Sequence, residues 1–231
     1  MGCDIHMAVE VRGPGGWRLV RSFYPCSLCD QTGKWYGNEC PTCDGTGRAG
    51  GYCQRSYNVF GILADVRNGY GVAGCDTGDG WPPLAPRRGI PDDISAELRA
   101  AIGDETAWLG DHDQTWCTLA ELEAYDWRQV TQQRGVVDLD NYAAWRERPF
   151  EPPPAYYGGV IGPNVQNVTP EQARVLLTAR QTPEQRASTY TTVHWPLSAE
   201  SAAGDFYTKF LPALRALGAP DAVRLVFGFD G

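Results

Sequence analysis

The sequence contains few of the residues that several functional classes need. It has only two lysines, Lys34 and Lys209, and its formal net charge is −8 at pH 7. Broad binding of duplex nucleic acid requires a basic surface that displaces counterions, so this charge disfavours that class. No apolar run is long enough to span a bilayer, and Asp4 and His6 stand where a signal peptide would be basic or apolar. We therefore expect a cytoplasmic protein without a membrane partner.

The apolar content is sufficient for a core. Hydrophobic residues make up 42% and charged residues 21% of the 231 positions, which is typical of globular proteins. A chain of this length supports one large domain. We predict a single α/β (α+β) domain over residues 1–231, with a mixed or antiparallel sheet and packed helices.

The first residues alternate as a half-buried strand does. Cys3 and Ile5 fall on one side, and Asp4 and His6 fall on the other, because successive side chains of a strand point to opposite faces. The same period predicts strands at residues 2–12, 17–24, 190–195 and 223–229. Since residues 2–12 and 223–229 are both patterned for burial, we expect them in the same sheet.

Four of the eight cysteines have the spacing of a metal site. They form two Cys-x-x-Cys pairs separated by ten residues: Cys26, Cys29, Cys40 and Cys43. Four thiolates can surround one zinc ion tetrahedrally, which leaves no open position and indicates a structural role. Coincidence and two structural disulfides remain as alternatives. The other cysteines are predicted to be buried thiols: Cys3, Cys53, Cys75 and Cys117.

The second pair of cysteines carries a family resemblance. Cys40-Pro-Thr-Cys43-Asp-Gly45-Thr-Gly47 resembles one Cys-x-x-Cys-x-Gly-x-Gly repeat of the cysteine-rich region of DnaJ-type chaperones. The first pair departs from that repeat, with Gln31 where a glycine is expected, and the sequence has no His-Pro-Asp motif of a J-domain. The resemblance implies a zinc fold rather than co-chaperone activity. We interpret residues 25–54 as an inserted zinc-binding module.

Carboxylates and imidazoles supply a second set of candidate ligands. The chain has three histidines, and two of them lie beside aspartates, in Asp4-Ile-His6 and in Gly110-Asp-His112-Asp113. Such groups can hold a divalent cation that lowers the pKa of a bound water. Both stretches are similar to metal motifs of calcineurin-like phosphoesterases, whose later histidine-rich motifs are absent from this sequence.

We predict a working site on the polar face of the first strand. Its candidate catalytic residues, with a possible second divalent metal, are Asp4, His6, His112 and Asp113. Arg67 and Asp230 are predicted to bind the ligand, since a guanidinium can hold a phosphate bidentately. The alternative is that Asp4 and His6 bond only to neighbouring backbone. Cys3 is a poor nucleophile because its strand position turns it toward the core.

The segment between Asp76 and Asp126 is strongly acidic. It contains twelve Asp or Glu residues against three arginines. Such a segment is either a solvated acidic face or a place where carboxylates gather around a cation.

Three stretches at the two ends of the chain carry a second resemblance. They are the initial Met-Gly-Cys-Asp-Ile-His, the helical Tyr-x-x-Phe-x-x-Leu-Ala-x-Val-Arg ending at Arg67, and the final Val-Arg-Leu-Val-Phe-Gly-Phe-Asp230. Together they resemble a family of bacteriophage proteins without an assigned activity. The resemblance implies a phage accessory protein made in the bacterial cytoplasm, and it transfers no catalytic residues.

Two functional classes follow. The first is a protein that binds, and in the enzymatic case hydrolyses, a phosphorylated nucleotide or similar small molecule to counter host defence. A pocket with Arg67 and an aromatic ring such as Trp81 or Trp116 would suit such a ligand. The alternative is a non-enzymatic adaptor or inhibitor that binds a host protein through its zinc module.

Overall fold

The computed structural model describes residues 2–26, 28–71, 74–84, 86–103 and 109–231. Its strands are β1 Asp4–Gly13, β2 Gly16–Val20, β3 Tyr24–Pro25, β4 Lys34–Trp35, β5 Asn38–Glu39, β6 Arg48–Ala49, β7 His112–Thr118, β8 Val130–Asp138, β9 Gln166–Val168, β10 Thr189–Ser198 and β11 Val223–Asp230. Its α-helices are α1 Tyr57–Ala64, α2 Ala96–Ile102, α3 Leu119–Ala124, α4 Leu139–Arg146, α5 Pro170–Thr178, α6 Pro183–Ser188, α7 Ala199–Ala203 and α8 Leu211–Arg215. A π-helical turn, Phe206–Phe210, precedes α8, and a 3₁₀ turn, Pro220–Ala222, precedes β11.

The main sheet contains both the first and the last strand of the chain. Its order is β2-β1-β11-β7, and all its pairings are antiparallel. β1 and β11 pair from Asp4 opposite Asp230 to Val11 opposite Val223. The prediction that the two terminal strands lie in the same sheet is confirmed, and so is the α+β class.

Both faces of this sheet are covered. One face carries Ile5 and Phe229 and packs against α1, α7 and the Phe206–Phe210 turn in the principal core. On the other face, Ala8 and Val226 pack against Leu98 of α2. The face that we predicted to be polar is therefore covered by α2 at its middle, and Asp4 and His6 lie at its open end.

A second sheet lies apart from the first in the strand pairing. Its order is β8-β10-β9, with β8 antiparallel and β9 parallel to β10. The prediction that residues 190–195 belong to the sheet of the terminal strands is wrong, because β10 pairs with β8 instead. Helices α4 and α5 cover one face of this sheet, and the small core between them includes Val137, Tyr142, Ala173 and Val193.

The strands β7 and β8 have no counterpart among the strands predicted from the sequence, and one predicted strand is too long. The predicted strand 17–24 ends at Val20, because Tyr24 pairs instead with Ala49 in the two-stranded β3–β6 ladder. That ladder closes the base of the cysteine module, and the short β4–β5 hairpin forms its tip.

The helix starts follow capping chemistry. The side chains of Thr118 and Thr169 accept hydrogen bonds from the backbone N–H groups three residues on, and the side chains of Glu121 and Gln172 accept from the N–H groups of the two threonines, which completes two capping boxes. Ser95 caps α2 in the same way. None of the described helices combines the length and the apolar composition that crossing a bilayer demands.

Candidate functional site

The four predicted metal ligands converge on one point. The sulfur atoms of Cys26, Cys29, Cys40 and Cys43 all lie within 4.8 Å of one another, and all four residues are buried. The Cys26–Cys40 and Cys29–Cys43 sulfurs are 3.8 and 3.7 Å apart. A tetrahedron with Zn–S bonds of about 2.3 Å has edges of about 3.8 Å, whereas a disulfide needs about 2.05 Å. The donor set therefore fits a metal ion such as zinc.

The two cysteine pairs are built as near copies of each other. Thr32 Oγ1 donates to the carbonyl of Cys29 at 2.6 Å, and Thr46 Oγ1 donates to that of Cys43 at 2.5 Å. The backbone approaches closely at Gly47, where a Cβ atom would lie 2.3 Å from the carbonyl oxygen of Gln31. The same glycine donates its N–H to Cys43 Sγ at 3.2 Å, which favours the thiolate that a metal binds.

Gln31 shows where the repeat departs from its own pattern. Gln31 has φ 65° and its counterpart Gly45 has φ 74°, so both lie in the left-handed region. A side chain is disfavoured there, because its Cβ crowds the following carbonyl. Gln31 therefore carries a backbone cost that Gly45 avoids.

The other cysteines divide into two kinds. Cys3 and Cys117 are buried as predicted, while Cys53 and Cys75 are partly exposed, which corrects the prediction for those two. Burial raises the pKa of the Cys3 thiol, and the hydrogen-bonded Arg67 acts in the opposite direction. A raised pKa reduces the thiolate fraction, in agreement with Cys3 being a poor nucleophile.

The open end of β1 holds a cluster of charged side chains around Cys3, which we call the terminal cluster: Asp4, His6, Arg55, Arg67 and Asp230. Arg55 binds Asp4 through two parallel bonds, Nε to Oδ1 at 2.7 Å and Nη2 to Oδ2 at 2.6 Å. His6 Nε2 lies 2.8 Å from Asp230 Oδ2, and the N–H of Asp4 donates to Asp230 Oδ1 at 3.3 Å. Asp4 and His6 thus engage other side chains rather than neighbouring backbone alone.

Electrostatics connect the members of the terminal cluster. The hydrogen bonds from Arg55 lower the pKa of Asp4, burial opposes this effect, and the charges of Arg55 and His6 add to it. Asp4, Asp230 and Arg67 all act on the pKa of the Cys3 thiol, which puts them within electrostatic range of one sulfur atom. The structure therefore brings Asp4, His6 and Asp230 together, and it places Arg67 near Cys3, the residue before Asp4. The predicted roles of these four residues stay predictions.

His112 and Asp113 form a separate group one strand further along. His112 lies opposite Phe229, and the two rings stack with centroids 6.2 Å apart. His112 Nδ1 is 2.9 Å from Asp113 Oδ2, and Asp113 also forms an ion pair with Arg87. Because Phe229 faces the principal core, His112 lies on the sheet face opposite to that of His6.

The backbone around this second group is irregular. The pairing of β11 with β7 shifts register between Phe227 and Phe229, and Asp113 has φ 55°. At Gly110, where φ is 80°, a Cβ atom would lie 2.2 Å from the carbonyl oxygen of Phe229. Bulges and strained residues concentrate near functional sites, although this one is also explained by the close approach of the two strands.

Within the part of the chain that the structure describes, the four cysteines are the one group of three or more Cys, His, Asp or Glu close enough to hold a metal ion. The terminal cluster and the His112 group are therefore not arranged as a ready second metal site in that part.

Sequence reasoning missed two charged residues. Arg55 follows the cysteine module and reaches Asp4 only because the module returns the chain to its start. Arg224 lies in an apolar run and is nevertheless buried, where it binds Glu10 of β1 at 2.8 Å. The sequence offered one indication of Arg55, because a half-buried carboxylate such as that of Asp4 is stabilised by a cationic partner.

The aromatic residues suggested for a pocket have other roles. Trp81 is buried and donates its Nε1–H to Asn58 at 3.0 Å. Trp116 lies beneath Arg88, whose guanidinium carbon is 4.8 Å from the ring centroid. The burial of Trp81 disfavours it as a ligand-stacking ring, and for Trp116 that role stays a prediction.

Six of the twelve acidic residues between Asp76 and Asp126 form ion pairs with arginines. Pairs join Asp76 and Asp79 to Arg134, and the remaining partners are Asp93–Arg224, Asp113–Arg87, Glu121–Arg88 and Glu123–Arg215. These six carboxylates form ion pairs, several of them between separated parts of the chain, while Asp76, Asp79 and Asp93 remain more than half exposed.

Comparisons of the chain with protein-family models, with curated proteins and with solved structures found no match. Function is therefore inferred from the chemistry of the chain itself.

Proposed function

We propose that this protein binds a small phosphorylated molecule, such as a nucleotide, at the terminal cluster, and that a structural zinc ion holds the neighbouring module in place. The observation that carries the proposal is the half-exposed guanidinium of Arg55 at the open end of β1, bound to Asp4 next to the pair of His6 and Asp230. Planar guanidinium groups bind phosphate oxygens through paired hydrogen bonds. Arg55 already makes that arrangement with the carboxylate of Asp4.

A bound phosphate would compete with Asp4 for Arg55. The two side chains are each 49% exposed, so their ion pair is accessible and weak enough to be exchanged. His6, when protonated, would add a second donor beside the phosphate, because its side chain lies on the same face as Asp4 and is 37% exposed. The carboxylates would then be free to hold a divalent cation that accompanies the phosphate.

Hydrolysis of the ligand is the enzymatic form of the proposal. Asp4, His6, His112 and Asp113 are the candidate catalytic residues, in a metal-dependent phosphoesterase reaction that uses a second divalent cation. Of the four, Asp4 and His6 lie at the terminal cluster, whereas His112 and Asp113 form a hydrogen-bonded pair on the opposite sheet face and would need a separate ligand contact.

The setting that we propose is the cytoplasm of a phage-infected bacterium, where the protein would act as an accessory factor against host defence. This part rests on the resemblance of the two chain ends to a phage protein family.

The test is to mix the purified protein with a bacterial cell extract and to measure the small molecules by mass spectrometry. Depletion of a phosphorylated compound from the free fraction supports binding, and its replacement by a dephosphorylated product supports hydrolysis. An extract with an unchanged set of phosphorylated compounds contradicts both forms of the proposal.

The zinc part of the proposal has a separate test. Elemental analysis should find about one zinc per chain, and Cys40→Ser should lose it, because three thiolates hold the ion far less tightly than four. Cys75→Ser, which changes a cysteine outside the tetrad, should retain it. Full zinc occupancy in Cys40→Ser would contradict the assignment.

One observation favours the adaptor alternative. At the tip of the module, Trp35 is 42% and Tyr36 is 87% exposed, and their rings lie 4.8 Å apart. Exposed aromatic side chains are enriched in protein interfaces. If the module binds a host protein, Tyr36→Ala should reduce capture of that protein at least five-fold while Tyr157→Ala leaves capture unchanged.

A further inference from the structure

A small pocket lies beside the terminal cluster, and the sequence analysis did not anticipate it. It is bounded by the start of α1, the loop that carries Tyr70 and Thr77, and the second sheet. Its lining comprises Ser56, Tyr57, Asn58, Tyr70, Gly71, Thr77, Gln133, Tyr156 and Trp195. The lining thus combines four aromatic rings, three of them tyrosines, with two carboxamides and two aliphatic hydroxyls, and it contains no charged side chain.

The size of the pocket limits what can enter. Its volume is about 230 Å³. Pockets that enclose a whole drug-sized ligand begin at about 300 Å³. The space therefore suits one flat ring system, with the remainder of the molecule outside.

The aromatic wall is held in place by packing. Trp195 is 2% exposed, and its ring lies 4.9 Å from that of Tyr156. Gly135 leaves room for both rings, since a Cβ atom there would lie 2.8 Å from Tyr156 and 3.2 Å from Trp195. Tyr156 is 49% exposed, so one part of it remains available for contact.

The two carboxamides are oriented by bonds to the protein. Asn58 Oδ1 accepts from the indole of Trp81, which can only donate, and this leaves the Asn58 NH₂ as a donor. Gln133 is 6% exposed, and its Nε2 donates to Thr131 Oγ1 at 2.9 Å, which leaves Oε1 as an acceptor. A ring that carries a hydrogen-bond acceptor next to a donor would match the Asn58 donor and the Gln133 acceptor.

Consecutive residues of the chain connect the pocket with the proposed phosphate site. Ser56 and Tyr57 directly follow Arg55, and the hydroxyl of Tyr57 accepts a hydrogen bond from the N–H of Cys3 at 3.3 Å. A ligand with its ring in the pocket could therefore direct its charged end toward Arg55.

We propose that this pocket binds an uncharged heterocyclic ring of the nucleobase type, stacked on Tyr156 and hydrogen-bonded to Asn58 and Gln133. The inference rests on the proposed function, because it assigns the ring of the same phosphorylated ligand.

The test is to titrate the zinc-loaded protein with the four common ribonucleosides and with their 5′-monophosphates, by calorimetry. At least one nucleoside should bind, and Tyr156→Ala should weaken that binding at least about five-fold, since base stacking on an aromatic ring is lost. Tyr156→Phe keeps the ring and should bind within two-fold of the wild type. Tyr157→Ala is the matched control, because the ring of Tyr157 faces Tyr190 instead.

The outcomes separate the two proposals. If nucleosides bind through Tyr156 but the monophosphates bind no better and are insensitive to Arg55→Ala, the ring pocket stands and the phosphate site fails. If the monophosphates depend on Arg55 and are unaffected by Tyr156→Ala, the ring pocket is overturned. Absence of binding by every nucleoside and monophosphate also overturns it.

Discussion

At the scale of single residues, we expect the ion pair of Glu10 and Arg224 to have the largest effect on the free energy of unfolding. Their side chains are 0% and 3% exposed, and Arg224 also binds Asp93 at 2.6 Å and stacks on Trp17 at 4.0 Å. Glu10 accepts in addition the N–H of Ser95, the residue that caps α2. The ion pairs and hydrogen bonds of these two buried charges connect β1, β11 and the start of α2.

Removal of one partner should be costly because it leaves the other charge buried. We predict that Glu10→Gln lowers the free energy of unfolding by about 3 kcal/mol or more. The double variant Glu10→Gln/Arg224→Met should lose less than the sum of the two single changes. Urea unfolding of the four proteins measures this, and a Glu10→Gln cost below about 1 kcal/mol would contradict the account.

The ion pair of Asp4 and Arg55 predicts that the stability of the fold depends on pH. Its pKa is lowered in the folded protein, so its pair with Arg55 stabilises the fold above the unfolded value of about 4, and this contribution is lost as the pH falls. Because both side chains are 49% exposed, the effect at pH 7 should be below about 1 kcal/mol.

The measurement is urea unfolding of the wild type and Asp4→Asn between pH 7 and pH 3. The difference between the two proteins should shrink toward zero below about pH 4. Asp221→Asn, in the exposed 3₁₀ turn, should show no such trend. A difference that grows with acidity would show that the sign is wrong.

At the scale of elements, the cysteine module depends on backbone positions that only glycine tolerates well. Gly47 and Gly37 have φ 73° and 82°, but a Cβ atom at Gly47 meets the Gln31 carbonyl whereas one at Gly37 meets nothing within 4 Å. The module therefore offers a matched pair in which one substitution adds strain alone and the other adds strain and collision.

We predict that Gly47→Ala weakens zinc binding far more than Gly37→Ala does. Gln31→Gly should increase the zinc affinity, because the left-handed conformation costs a residue with a side chain about 1–2 kcal/mol. Competition with a chromogenic chelator gives the three affinities. Equal affinities for Gly47→Ala and Gly37→Ala would contradict the close approach at Gly47.

The elements that the sequence predicted were those with a clean period or a local signature. β1 and β11 alternate apolar residues, the capping boxes are local, and Cys-x-x-Cys spacing directly reflects metal geometry. β8 was missed because its buried positions include Gln133 and Gly135, which have no apolar period. In β7 the residues His112 and Asp113 were considered only as candidate ligands, and the buried positions Thr115 and Cys117 are too few to show a clear apolar alternation.

The site was predicted in part for a related reason. Asp4, His6 and Asp230 come together because they belong to two strands whose pairing was predictable. Arg55 and the pocket beside it depend on how the chain returns from the module and how the second sheet packs. Neither has a signature in the local sequence.

At the scale of the whole molecule, charge is arranged as pairs between distant parts of the chain. The protein has a net charge of −8, yet arginines from β8, β11 and α8 bind carboxylates of the acidic segment. The terminal cluster differs in that the half-exposed ion pair of Arg55 and Asp4 lies next in the chain to a pocket without charged residues in its lining. That contrast is the basis for assigning the ligand site there.

The most direct test of this assignment is equilibrium dialysis against the mono-, di- and triphosphates of the four common ribonucleosides. The account predicts that the wild type retains at least one of them and that Arg55→Ala weakens its retention by about ten-fold or more, the value of a charge-assisted hydrogen bond. Arg215→Ala, which removes a surface arginine paired with Glu123, should retain it unchanged. Retention of none, or equal retention by the wild type and Arg55→Ala, would contradict the account.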